Sequence, residues 1–323
     1  MERVVTALLV IATGLLSGWG MKQLADSGRW RNPPDLPRLR LLLQKIALFF
    51  LLPVTYCGAF WNLDLSVSGI WSLPAVGVFA FVSGGALALA AGKAMGLARR
   101  ERGAFFCCGL FTNVGAVGAL VCHQLLGEEG FAMVPAYKLL EEVLYFGVGF
   151  PVARSFTGPG QGGLAAGLKR VATDPFILCA LGGMAAGAAL RLAGFQRPAA
   201  YVTVNAVLVP LASFCMLVAI GLALRVKRLA AYPGPCAATL AIRFLAVPVL
   251  ATTAAWLLGY GRILGGVPLK VVMILSCMPV AFLALIPPSL YDLDVDLTNA
   301  CWFASILFTG VSIPLLALAV RAF

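Results

Sequence analysis

Charge is scarce in this 323-residue chain: Lys, Arg, Asp and Glu make up 11% of it, against about 25% in soluble domains. Histidine is scarcer, with His123 standing alone. One His and no CxxC pair exclude the common zinc ligand sets, so no metal or cofactor is expected. HExxH, GxSxG and Walker sequences are also missing, which argues against an intramembrane enzyme and against a nucleotide-driven pump. The longest polar connection, 154–174, is too short to be the output domain of a membrane sensor.

What fills the chain instead is hydrocarbon. Hydrophobic residues are 61% of it, enough for about ten spans at ~20 apolar residues each. That excludes a soluble enzyme, a nucleic-acid module, a disordered tail and a disulfide scaffold. The nine cysteines fall almost wholly inside apolar runs and read as small buried hydrophobes. The segment 1–21 has a weak charged start and no small-residue cleavage site, so it reads as a first span rather than a signal peptide.

Ten apolar segments can be marked, at 4–21, 41–61, 73–94, 103–126, 131–153, 175–192, 201–224, 236–258, 269–290 and 297–320. None alternates as a barrel strand would, and runs this long must satisfy their backbones as helices. With the N-terminus outside, the loops after spans one, three, five and seven gather fourteen basic residues. They are Lys22, Arg29, Arg31, Arg38, Arg40, Arg99, Arg100, Arg102, Arg154, Lys169, Arg170, Arg225, Lys227 and Arg228. Five remain outside: Arg3, Arg191, Arg197, Arg262 and Arg321. The net charge of +11 is thus a topology signal placing both termini outside a plasma (inner) membrane, not a nucleic-acid patch.

The Gly-rich, basic stretch 154–174 divides the chain into 1–153 and 175–323, with five spans each. An odd number per half forces any repeat to be inverted. Pro53 in span two pairs with Pro210 in span seven. The interruption Asn113–Gly118 in span four pairs with Met278–Pro279 in span nine, each followed by an acidic turn. Matched interruptions in inverted halves point to a transporter's binding site.

Thr112, Asn113, Gly115 and Gly118 lie in the first interruption; its glycines ease departure from the helix, and the Asn amide needs partners in an apolar setting. Close packing against a neighbouring helix is the other reading of the two glycines. Ser276, Cys277, Met278 and Pro279 surround the second interruption. Span five holds Lys138, Glu141 and Glu142 at i, i+3 and i+4, one carboxylate in excess. They read either as a proton-coupling site or as charges snorkelling to the interface. Arg243 in span eight could meet an anionic substrate or reach for headgroups. His123 reads as structural, and Lys45 and Lys93 as interface anchors.

The stretch FTNVGAVGALVCHQLLGEEGFAMVPAYKLL resembles the broken fourth helix, acidic turn and fifth helix of the auxin efflux carrier family, within the bile acid sodium symporter-like superfamily. CMPVAFLALIPPSLYDLDVDLTNACWFASILFTGVSIPLL resembles its ninth and tenth helices, DPFILCALGGMAAGAAL its sixth and AIRFLAVPVL its eighth. The resemblance implies an all-α fold of ten transmembrane helices in two inverted five-helix repeats. In that fold broken helices four and nine cross mid-membrane and a substrate binds beside the crossing. Asn113, Gly115, Gly118, Pro279 and Arg243 match the family pattern; Ala116, Leu120 and Leu283 depart from it, as do Glu141 and Glu142. The function implied is alternating-access transport of a small organic anion such as a carboxylate, with proton or sodium as coupling ion and a homodimer as candidate assembly. A sodium-coupled symporter of the bile acid type and a non-transporting membrane sensor are the alternatives.

Overall fold

The computed structural model describes residues 2–30, 33–63, 68–158, 169, 172–224 and 231–322. Of the basic loop residues, Arg31, Arg170, Arg225, Lys227 and Arg228 lie outside the described residues, as does most of the Gly-rich linker. In chain order the main helices are α1 (Glu2–Asp26), α2 (Leu36–Asn62), α3 (Leu73–Ala94), α4 (Arg99–Leu110), α5 (Ala119–Tyr137, two helical pieces joined by a kink at Gly127) and α6 (141–155). They continue as α7 (Pro175–Leu192), α8 (Ala200–Ala223), α9 (Pro233–Leu257), α10 (Val267–Ser276) and α11 (Val295–Ala322). Seven of them (α1, α2, α3, α7, α8, α9 and α11) lie in helical stretches long and apolar enough to cross a membrane. No strand occurs among the described residues, and the architecture is that of an all-α, multi-pass membrane protein. Large apolar side chains point outward as they would toward lipid: Phe50, Leu192, Trp256, Leu257 and Leu307 are all more than half exposed.

The three remaining apolar segments are not single helices. Segment 103–126 breaks after α4 and resumes through a π-turn, Val114–Gly118; segment 269–290 breaks after α10 and resumes as a 3-10 turn, Phe282–Leu285. Both breaks fall in the stretches that the sequence marks. Segment 131–153 is also broken, which its pattern does not announce: α5 ends at Tyr137, a turn covers 138–140, and α6 begins at Glu141. Pro135, lacking an N–H, weakens the last turn of α5 two residues before it ends.

Prolines also leave a regular signature. Pro53, Pro151 and Pro248 each follow, by two residues, a π-turn: Ala47–Leu51, Tyr145–Gly149 and Ile242–Ala246. The proline ring crowds the carbonyl four residues back and offers it no donor, and widening the preceding turn relieves both problems. Pro210, expected to mirror Pro53, instead lies within continuous helix α8.

Contacts divide the chain into two compact units, and neither is a chain half. Unit one holds Met1–Asp64, Gly115–Pro135 and Pro175–Arg225; unit two holds Leu65–Val114, Ala136–Asp174 and Val226–Phe323. In unit one, α1 packs along α8 with Gly14 facing Leu217 and Gly18 facing the backbone of Val218 and Gly221. Both numbers rise together, so the two helices run parallel. Likewise Gly183 and Gly187 of α7 meet the backbone at Pro53 and Cys57 of α2, again in parallel. Glycine lets these backbones touch, the usual way apolar helices associate where lipid removes the hydrophobic drive. Lys22 Nζ donates to the Leu224 carbonyl at 2.7 Å, placing a cation at the C-terminal end of α8.

In unit two, Gly84 of α3 and Gly109 of α4 bring their backbones together in the same way. The acidic turn before α11 has a local explanation. Asp294 caps the helix by accepting from Leu297 N at 2.9 Å and also accepts from the Tyr232 hydroxyl at 3.0 Å. Asp292 pairs with Arg100 at 2.8 Å on an exposed surface.

Gly18→Ala should lower the melting temperature by several degrees, because its Cβ would strike the Val218 carbonyl; Gly20→Ala, with open space around it, should leave it level or slightly raised. Burial first, and then the Asp294 carboxylate, push the Tyr232 phenol up to about 12. A raised folded value contributes stability below the ordinary tyrosine range that is lost as pH climbs toward 12. Melting curves of Tyr232→Phe should therefore fall less steeply above about pH 10 than those of the parent chain.

Candidate functional site

The two helix breaks in unit two meet. After α4 the chain is extended at Phe111, and after α10 it is extended at Ala281. Asn113 N donates to the Pro279 carbonyl at 2.8 Å and Ala281 N to the Phe111 carbonyl at 2.9 Å. These bonds enclose Thr112 and Val280 as an antiparallel bridge. In such a bridge the enclosed pair turn their own N–H groups outward, away from each other's strand. Both outward donors are met by hydroxyls: Thr112 N donates to the Tyr145 hydroxyl at 2.8 Å, and Val280 N to Ser305 Oγ at 3.1 Å. All four residues are buried.

The carbonyl side of the crossing is served by Arg243. Its Nη1 donates to Gly109 O at 3.1 Å; its Nε and Nη2 donate to Met278 O at 3.2 and 2.9 Å; Nη2 also donates to Thr112 Oγ1 at 2.6 Å. The guanidinium is 1% exposed, and its acceptors are two carbonyls and one hydroxyl, with no carboxylate among them. It thus sits against the C-terminal end of α4 and the carbonyl after α10, where helix dipoles favour a cation. The π-turn that Pro248 induces carries Arg243, and Gly84 leaves room for it: a Cβ there would stand 3.3 Å from Nη1.

Thr112, Asn113, Met278, Pro279 and Arg243 therefore come together in one unit. Cys277 is buried beside them and lines an apolar cavity of about 440 Å³ with Phe244, Pro248, Met273, Phe308 and Ser312. Ser276 bonds locally, to Met273 O at 3.2 Å. Gly115 and Gly118 belong by contacts to unit one and lie in the π-turn Val114–Gly118, and neither has a positive φ. The unwinding is upstream of them, at 111–113. Extended backbone is open to any residue; what 111–113 require is hydrogen-bond partners, and 279–281 supply them.

Lys138 and Glu141 do pair, at 3.0 Å, with the Glu141 side chain 5% exposed. They do so across the 138–140 turn rather than along one helix face, and the turn itself is closed by Glu141 N donating to Lys138 O at 2.9 Å. Glu142 is partly exposed. A hydrogen-bonded chain runs from Tyr145, four residues past Glu141, to Thr112 and Arg243. Tyr145 and Ser305 are the site residues that sequence reasoning passes over. Each is an isolated hydroxyl in an apolar helix, and such a group needs a partner, which is the signal that could have found them.

Arg243→Met should destabilise the fold by about 3 kcal/mol or more, because it strands three buried acceptors at once. Tyr145→Phe and Ser305→Ala should each cost about 1–3 kcal/mol by orphaning one buried N–H, read from unfolding midpoints in detergent. No protein-family model matches this chain, and no curated protein matches it.

Proposed function

We propose that the chain is a secondary transporter of a small organic anion, a carboxylate by preference, working by alternating access at the crossing of its broken helices. The observation that carries this reading is Arg243: a guanidinium 1% exposed, at the crossing, with no carboxylate among its acceptors. A buried cation without a counter-ion favours an anion arriving beside it. Interrupted helices whose backbone bonds are closed by tertiary partners are also what membrane transporters use around a substrate path.

The finer architecture belongs to the same proposal. Ten spans follow if the three interrupted segments cross the membrane along with the seven long helices. The parallel pairs α1 with α8 and α2 with α7 agree with an alternating path in which spans one and seven, and spans two and six, run the same way. Both termini then lie outside, the basic loops inside, and the halves 1–153 and 175–323 form inverted repeats like those of the auxin efflux carrier family. Lys138, Glu141 and Glu142 serve as the coupling charges, since Glu141 is buried, pairs with Lys138 and lies four residues before Tyr145, which holds Thr112.

Liposomes holding the purified chain should exchange labelled small carboxylates saturably. The rate should depend on pH rather than on sodium, and Glu141→Gln with Glu142→Gln should flatten the pH profile. Carboxylates should also raise the melting temperature, since a ligand of the folded state adds stability as RT ln(1 + [L]/Kd). Carriage of an organic cation with no carboxylate carried would overturn the anion reading, and strict sodium dependence would favour a symporter of the bile acid type.

A further inference from the structure

Beside the crossing, within unit two, lies an apolar cleft of about 440 Å³ walled by α9, α10 and α11. Each helix gives it one face: Phe244 and Pro248 of α9, Met273 and Cys277 of α10, and Phe308 and Ser312 of α11 are pairs four residues apart. The Phe244 and Phe308 rings meet at 4.8 Å and join the two long walls. Phe244 and Leu245 are carried by the same π-turn as Arg243, so one widened turn presents a cation to the crossing and apolar neighbours to the cleft.

The cleft opens where α9 and α11 face outward. Leu245 and Leu315 line it and are more than half exposed, like the other side chains that point toward lipid, whereas Met273 and Cys277 are buried and form its floor. Its shape is slender: along α11 it runs from Phe308 to Ala319, roughly 16 Å at ~1.5 Å per residue. A volume in the range of small-molecule sites, drawn out over that length, suits a single extended chain. None of its described lining residues carries a charge, so an ion entering it would meet no counter-charge.

One polar group in the cleft is left unmet. Ser312 lines it at 4% exposure, and its hydroxyl is buried with no hydrogen-bond partner among the described residues. Such a hydroxyl is costly, and water serves it poorly here. A buried water needs about two to four polar partners, and besides this hydroxyl the lining side chains offer only the Cys277 thiol. An empty cleft would also forfeit dispersion contacts along both long walls. We propose that the cleft binds a neutral single-chain amphiphile taken from the bilayer, with its hydrocarbon chain along α11 and its hydroxyl or carbonyl on Ser312 Oγ. The site goes beyond the transport reading and stands whatever the crossing carries.

Photolabelling of the full chain in phosphatidylcholine nanodiscs tests the site, with a dodecanol that carries a diazirine in its chain as the probe. Adducts are expected on Met273 or Cys277, buried residues that a chain lying on the outer surface does not reach. Excess dodecanol should remove them, and dodecane should compete about fivefold less well because it makes no hydrogen bond. Ser312→Ala should erase that difference. Ala319→Trp, which fills the cleft, should abolish the buried adducts while labelling of the exposed Trp256 stays constant. Adducts confined to exposed residues such as Trp256 overturn the site. Dodecane competing as well as dodecanol in the parent chain overturns the assignment of its ligand, and so does a Ser312→Ala chain that keeps the difference. Should Ala319→Trp not fold, the Ser312→Ala comparison carries the test alone.

Discussion

In an apolar interior a backbone N–H or C=O that leaves its helix must find another partner at once, because no water will stand in. Unit two is organised around that requirement. The chain leaves helical geometry after α4 and again after α10, and the two extended stretches close each other's bonds through Asn113 with Pro279 and Ala281 with Phe111. The two N–H groups this pairing leaves over go to Tyr145 and Ser305, and the neighbouring carbonyls of Gly109 and Met278 go to Arg243. Each of these three side chains comes from a different helix, so the position of the crossing is set by α6, α9 and α11 together. The amides of Thr112, Asn113, Val280 and Ala281, all released from the helices, are each held by a named partner.

The same economy governs charge. Burying an ion is expensive, and the few that this chain buries are each placed against dipoles or opposite charge. Arg243 rests on carbonyl ends, Lys138 on Glu141, and Arg197 on Glu128. Lys22 does a milder version of the same thing at the end of α8. The π-turns before Pro53, Pro151 and Pro248 belong to this account as well, since they re-aim a helix face without leaving backbone groups open. One of them carries Arg243 and another Tyr145, so two of the three side chains that close the crossing are presented from widened turns.

Much of the fold was legible because its signals are local. Runs of about twenty apolar residues make long helices whatever surrounds them, and the seven uninterrupted ones appear where the hydropathy puts them. Interruptions at Asn113 and at Met278–Pro279 could also be read, since polar or helix-breaking residues stand out in such runs. The break at 138–140 could not: YKLLEEVLYFG keeps helical spacing, and the turn follows Pro135, whose effect on a helix end depends on what packs there. Gly115 and Gly118 were visible for the wrong reason. They suggested where the chain unwinds, yet the unwound residues are those that found hydrogen-bond partners, not those with the most conformational freedom.

The sequence by itself determined the class of molecule, the places of its seven long apolar helices and two of the stretches where helices fail, because composition, run length and proline act within a short stretch of chain. Tertiary structure alone decided which failures meet, that Arg243 spends its donors on backbone carbonyls and Thr112, and that His123, Glu128, Arg197 and Asn205 form one cluster. It also decided that the compact units draw on both halves of the chain. These are meetings between residues tens to more than a hundred positions apart, and side-chain type says only that a partner is needed. Which partner answers is fixed by how the helices pack.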